Sequence, residues 1–397
     1  MFKVSGKCIV ESLSSYKPLS TSKLTLNSQL STINLYIHIP FCTSRCLYCD
    51  FFSTTGGKSQ QDLYVEALIK EAKGQLSTLN SQLYIGGGTP SVLSFENLRK
   101  LLAEFVPLTS GERTIECNPD DMSDNLAQLL ADNGINRVSM GVQTFSDERL
   151  RFLHRRHKSD QILPAVKALR KAGIKNISVD LIFGFPGQTL DEWRDDLQKA
   201  LALDVEHISA YSLMYEEGTP LTRMLDEGKI KALDEETCRE MYYTLIDTMT
   251  AAGYEHYEIS NFCKPGFRSQ HNSDYWRPWE KHYIGLGAGA HSYDGKRRYW
   301  NVCDVKRYIE GHYMEGEEIL DDDMRYNDLI TTALRTKEGI DLDIVENYLG
   351  KDYRSYLSQC AEKEIKNGRL TINGTHISLT RQGLYVSNDV MAELVKV

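Results

Sequence analysis

Short β-rich runs recur along the chain from residue 34 onward: Leu35–Ile39, Gln82–Ile85, Thr114–Cys117, Arg137–Met140, Ile177–Ile182 and His207–Leu213. Between them the pattern turns helical, as with Leu63, Ala67, Leu68 and Glu71 after the first run, or Leu197, Leu201 and Ala202 after the fifth. Gly134 and Gly173 punctuate the joints. Alternation at this spacing predicts parallel strands joined by helical crossovers. Six such units make an α/β protein built on a partial (β/α)6 TIM-like barrel. A flat doubly wound sheet satisfies the same pattern.

Past Phe262 the rhythm stops. Residues 263–303 are rich in Gly, His, Tyr and Trp, and the acidic stretch from Glu315 to Asp323 reads as a solvated linker. A helical tail follows through Leu329, Ala333 and Leu334, then Ile344, Val345 and Tyr348, then Tyr356, Leu357 and Cys360. Asn373-Gly374, between Arg369–Ile372 and His376–Leu379, predicts a hairpin with a type I′ turn. A final helix is expected over Leu384–Val395, so the tail reads as a helical, winged-helix-like module. The expected division is an extension at 1–33, a core barrel at 34–262, a bridging segment at 263–322 and the C-terminal module at 323–397. The extension carries four Lys, one Glu and eight Ser. It lacks the Arg and the amphipathic stripe of a transit peptide and reads as a weakly structured lead or an extra strand.

Composition narrows the class. Hydrophobic residues are 41% and charged residues 25% of 397, the usage of soluble globular proteins. No apolar run approaches the ~18 residues of a membrane span. Lys+Arg 46 against Asp+Glu 55 gives −9, which argues against nucleic acid as a partner. Of nine cysteines, Cys42, Cys46 and Cys49 crowd into eight positions. That is a metal site in a reducing compartment, hence a cytoplasmic protein, and not a disulfide framework.

Cys42-x-x-x-Cys46-x-x-Cys49 follows the first run, where barrel folds gather their active sites. Three structural thiols would not suit so polar a loop, and zinc would need His38 or Asp50 as a fourth ligand. A [4Fe-4S] cluster on three thiolates leaves one iron open to an exchangeable ligand. Other strand ends carry matching groups: Gly86-Gly87-Gly88-Thr89-Pro90 after the second, Glu116 on the third, Gln143 after the fourth and Asp180 on the fifth. Arg155 follows in the fourth crossover. Two motifs are decoys. Gly285-Leu-Gly287-Ala-Gly-Ala290 fits G-x-G-x-x-A but no helical pattern follows it. Gly57-Lys58-Ser59 lacks the first glycine of a phosphate loop, since position 52 is Phe52.

The cysteine spacing, with Tyr48 before the last Cys, resembles the signature of the radical S-adenosylmethionine (SAM) enzymes. Tyr36-Ile-His-Ile-Pro-Phe-Cys42, Gly86–Pro90, Ser139-Met-Gly-Val-Gln143 and Asp180-Leu-Ile-Phe-Gly184 resemble the oxygen-independent coproporphyrinogen III oxidase group. The resemblance implies that Cys42, Cys46 and Cys49 hold the cluster. It implies that Tyr36, Tyr48, Gly87, Gly88, Thr89, Glu116, Gln143, Arg155, Asp180 and Met214 line the S-adenosylmethionine site. The oxidases add a fourth cysteine where this chain has Phe51. His271-Asn272-x-x-Tyr275-Trp276 and Gly287-Ala-Gly-Ala-His291-Ser-Tyr293 instead resemble the HemW subgroup of haem chaperones. This implies haem contact at His271, Asn272, Tyr275 and Trp276, with His291 and His256 as weaker candidates. An unidentified acceptor protein and a flavodoxin- or ferredoxin-type electron donor are the implied partners. Porphyrinogen decarboxylation and radical modification of haem are the alternative activities, so an enzymatic role stays open.

Overall fold

The computed structural model describes residues 33–76 and 82–396. The six expected strands are present as β1 (Ile33–Ile39), β2 (Leu83–Gly87), β3 (Arg113–Cys117), β4 (Arg137–Gln143), β5 (Asn176–Phe183) and β6 (His207–Ser212). They pair in parallel and in sequence order. Helices Lys58–Gln75, Phe95–Phe105, Asp124–Asp132, Ile162–Lys171 and Leu190–Ala202 form the crossovers. Their starts are chemically marked: Ser94, Ser123 and Thr189 side chains accept from backbone N–H groups, Thr189 in a capping box with Glu192. The sheet stays open, a partial barrel.

The period-two alternation of β1 sorts its side chains. Ile33, Leu35, Ile37 and Ile39 are buried against the helices, while Asn34, Tyr36 and His38 point to the concave face. A polar and aromatic concave face under an apolar convex one is the feature that turns this sheet into a site.

The sheet gains strands on both sides, and those beyond β1 come from the segment past Phe262, where the rhythm stops in the sequence. β7 (Glu255–Glu258) and β8 (Asn261–Cys263) extend the sheet beyond β6. β9 (His282–Leu286), β10 (His291–Tyr293), β11 (Arg297–Asn301) and β12 (Met314–Ile319) extend it beyond β1, with β9 parallel to β1. The first part of the stretch read as an acidic linker is therefore β12, an exposed edge strand antiparallel to β11, while Asp322 and Asp323 at its end open the next helix. Arg297 and Arg307 pair with Glu317 and Glu315, which is why so charged a run holds a ladder. The Gly285–Ala290 decoy spans the end of β9 and its turn to β10, with no helix behind it.

Beyond it lie helices Asp322–Ala333, Leu342–Leu349 and Lys351–Lys366 and a small sheet of β13 (Ile340–Asp341), β14 (Leu370–Asn373) and β15 (His376–Leu379). The hairpin turn differs from expectation. Asn373 pairs with His376, so Gly374 and Thr375 are the central residues, and only Gly374 has positive φ, at 62°. That is the demand of a type II′ turn. The expected last helix is divided into Arg381–Tyr385 and Ser387–Leu394. This module reaches both flanks of the open sheet. Arg298 of β11 bonds both Asp328 oxygens at 2.9 Å, while Thr336 bridges Glu258 of β7.

Candidate functional site at the strand ends

The cysteine loop is closed at its base by Cys42 N–H to Thr54 O (2.9 Å) and Thr54 N–H to Pro40 O (2.6 Å). Leu47 anchors its middle: its N–H bonds Leu153 O at 3.2 Å, and its side chain packs with Leu153, Ile182, Phe185, Leu213 and Leu221. Cys42 Sγ lies 3.5 Å from Thr89 Oγ1, and Arg155 donates to Cys46 Sγ at 3.6 Å. Arg155 is fixed by Asn118 Oδ1 (2.5 Å) and Gly141 O (2.7 Å). Burial pushes the Cys42 thiol up and the Cys49 thiol to about 11.

His38 straps the loop exit to β1. Tyr36 Oη donates to His38 Nδ1 and His38 Nε2–H donates to Phe52 O, both at 3.0 Å. Burial lowers this imidazole to about 4, so it is neutral and keeps that tautomer. The glycine run is shaped by the same contacts. A Cβ at Gly88 would stand 2.8 Å from Phe41 O. Gly87 combines φ 110° with a His38 ring 2.5 Å from any Cβ there. Sequence reasoning placed His38 only as a possible zinc ligand; its role follows from sharing the Tyr36 face two residues on.

Below the loop the concave face holds the paired carboxyls. Glu116 accepts from Tyr84 Oη (2.7 Å) and Gly87 N–H (3.1 Å). Burial raises it to about 7, against the pull of Tyr84 and with the push of Asp180. Asp180, also raised by burial, accepts from Ser139 Oγ at 3.3 Å. Gln143 sits at a register shift between β4 and β5 with φ 66°, and so turns inward. Tyr48 feels both Arg155 and Asp180, while burial raises its phenol. Met214 lies half-buried just past β6.

The His271 group lies elsewhere, toward the N-terminal ends of the strands. Asp274 accepts from Asn34 and Gln82 at 3.1 and 2.9 Å. Glu112 accepts from Ser269 Oγ and the N–H groups of Gln270 and His271, all at 3.3 Å. These buried acceptors, unseen in the sequence, hold the short helix Gln270–Tyr275 inside the barrel. His271 is 5% exposed and stacks on Tyr84 at 4.4 Å. Tyr275 meets its edge at 4.7 Å, Asn272 donates to Tyr257 Oη, and Trp276 lies under Arg335. Burial takes the His271 imidazole down to about 3. His256 stacks on Phe262 at the far edge of the sheet, and His291 stands on β10.

A partial barrel with a three-thiol loop at its strand ends defines the class. Residues 36–200 match the radical SAM superfamily and residues 320–386 the HemN C-terminal domain. The coproporphyrinogen III oxidase HemN of Escherichia coli shares the fold, with TM-score 0.79 and 22% identity over 92% of this chain and 90% of that one. The haem chaperone HemW of Lactococcus lactis subsp. lactis (strain IL1403) is 37% identical over 371 residues, 91% of this chain and 96% of the relative. That of Escherichia coli (strain K12) is 30% identical over 373 residues, 87% and 97% respectively. The chain belongs to the HemW family.

Proposed function

We propose that this protein is a haem chaperone, binding haem and passing it to an acceptor protein, and that it carries a [4Fe-4S] cluster with exchangeable S-adenosylmethionine. The observation that carries the cluster is the loop itself: three half-buried thiols, an arginine on one of them, and Phe51 where the oxidases have a fourth cysteine. The donor set fits. Among the described residues no three His, Cys, Asp or Glu side chains converge as for one metal ion, and a cubane takes its thiolates on separate irons. When bound, the cluster supplies an open iron for S-adenosylmethionine and an electron for its sulfonium.

This chain's residues do the remaining work. Arg155 balances thiolate charge at Cys46 and can meet a carboxylate. Glu116 and Asp180 accept hydrogen bonds from amine or hydroxyl groups of a nucleoside, with Gln143, Tyr36, Tyr48, Gly87, Gly88, Thr89 and Met214 around them. The His271 group forms the floor of the chamber. A reduced flavodoxin- or ferredoxin-type protein is the proposed donor. No described helix is long and apolar enough to cross a membrane.

Anaerobically reconstituted protein is expected to hold close to four irons, and Cys46→Ala to lose them; zinc in their place overturns the cluster. Haem titration is expected to produce a Soret band, and an unchanged spectrum overturns the chaperone reading. Turnover of coproporphyrinogen III with S-adenosylmethionine and reductant would instead establish the oxidase reading, despite Phe51.

A further inference from the structure

The concave face continues past β1 onto β9–β12. Register fixes which residues stand on it. Asn34 of β1 pairs with Tyr283, and Tyr283 with Tyr293, which puts His291, two residues along, on the same face. His291 pairs with Trp300, and Trp300 with Gly316. The His291 and Trp300 rings stack at 5.9 Å with 26° between planes, and both are half-buried. A Cβ at Gly316 would lie 2.7 Å from the indole Cζ2, so the missing side chain lets Trp300 lie along the sheet.

Among the described residues, neither ring nitrogen of His291 has a hydrogen-bond partner. Arg298, on the same face opposite Tyr293, is paired with Asp328 of the C-terminal module and lies 3.9 Å from Glu318 across the ladder, with its remaining N–H groups beside this pair. Burial first, and Arg298 second, lower the His291 imidazole. A neutral imidazole is the form that ligates iron. The surface adjoins the cysteine loop: the Phe52 ring lies 3.2 Å from a Cβ built at Gly289, in the turn leading to β10.

The two other histidines are worse placed. His271 is stacked within the barrel, where a porphyrin has no access without displacing Tyr84 or Tyr275. His256 is stacked on Phe262 at 4.4 Å, with Nε2 3.3 Å from Ile259 O. We propose that haem binds on the β9–β12 face, with His291 as a ligand to its iron and a propionate beside Arg298. This rests on the haem-chaperone reading and gives it a site next to the cluster loop.

The test titrates full-length wild-type, His291→Ala and His271→Ala proteins with haem and follows difference spectra in the Soret region. His291→Ala is expected to lose at least about tenfold in affinity, the scale of disturbing even an outer partner of a metal ligand. Its Soret band should shift, and added imidazole should restore the wild-type position, which repair of a purely structural defect would not do. Iron content of the cluster checks that the variant is folded. Wild-type affinity and spectrum in His291→Ala overturn the site and leave the chaperone reading standing. Imidazole rescue confined to His271→Ala also overturns it. Absence of haem binding by wild-type protein overturns both.

Discussion

Glu71 is a carboxylate 2% exposed near the C-terminal end of the first crossover helix. Its oxygens accept from Gly287 N–H (3.0 Å), Asn301 Nδ2 (2.6 Å), Tyr308 Oη (2.5 Å) and Gln75 Nε2 (3.1 Å). Beside it Tyr64 Oη donates to His38 O and accepts from Ala288 N–H, both at 2.8 Å. The two side chains thus dock the β9–β10 turn onto β1, one strand from the cysteine loop. Glu71→Ala removes the acceptor and leaves three long-range donors buried. Each unpaired buried donor costs about 1–3 kcal/mol. With partial relaxation, the expected loss is about 3–5 kcal/mol. Glu71→Gln keeps one acceptor but turns amide hydrogens toward donors, so about half that loss is expected. Urea unfolding followed by far-ultraviolet circular dichroism measures both. A loss below about 1 kcal/mol for Glu71→Ala would refute the claim that this carboxylate is the buried acceptor on which the turn depends.

Gly87→Ala is expected to cost about 2–4 kcal/mol, because positive φ and the His38 ring both oppose a Cβ; its iron retention should fall with stability, and normal values for both would count against the strap. Glu116 supplies a pH test. Burial raises its folded pKa from 4.5 to about 7, so the folded state holds a proton that the unfolded chain has released. Stability from this group is present at low pH and falls as pH rises, by about 1.4 kcal/mol per unit between the two values. Glu258, also raised to about 7, adds a parallel slope. Glu116→Gln should therefore remove only its own share, seen as a smaller drop in urea midpoint from about pH 5 to about pH 8. An unchanged drop would refute the assignment.

The β1–β6 runs were legible because each is local: a period-two strand with a helical pattern behind it. The cysteine loop was legible because three ligands fall within eight positions. Segment 263–322 was not. β10 has three residues, and β11 and β12 carry charges whose partners lie on other elements: Glu317 of β12 for Arg297 of β11, Arg307 of the helix Val305–Ile309 for Glu315, and Asp328 for Arg298. A charged strand that survives through ion pairs with other elements looks, in sequence, like a linker. The His271 motif shows the same limit. Its composition suits a porphyrin, yet Glu112 and Asn34, distant in sequence, draw it into the barrel.

The sequence by itself determined the alternation that makes a parallel sheet, the three-thiol loop and the absence of a fourth cysteine at Phe51. Those properties depend on neighbours within a few residues, where propensity and ligand spacing act. Only the tertiary structure decided that His271 is buried and His291 half-buried. Burial and register arise from pairing residues up to hundreds of positions apart, and that pairing leaves no local mark.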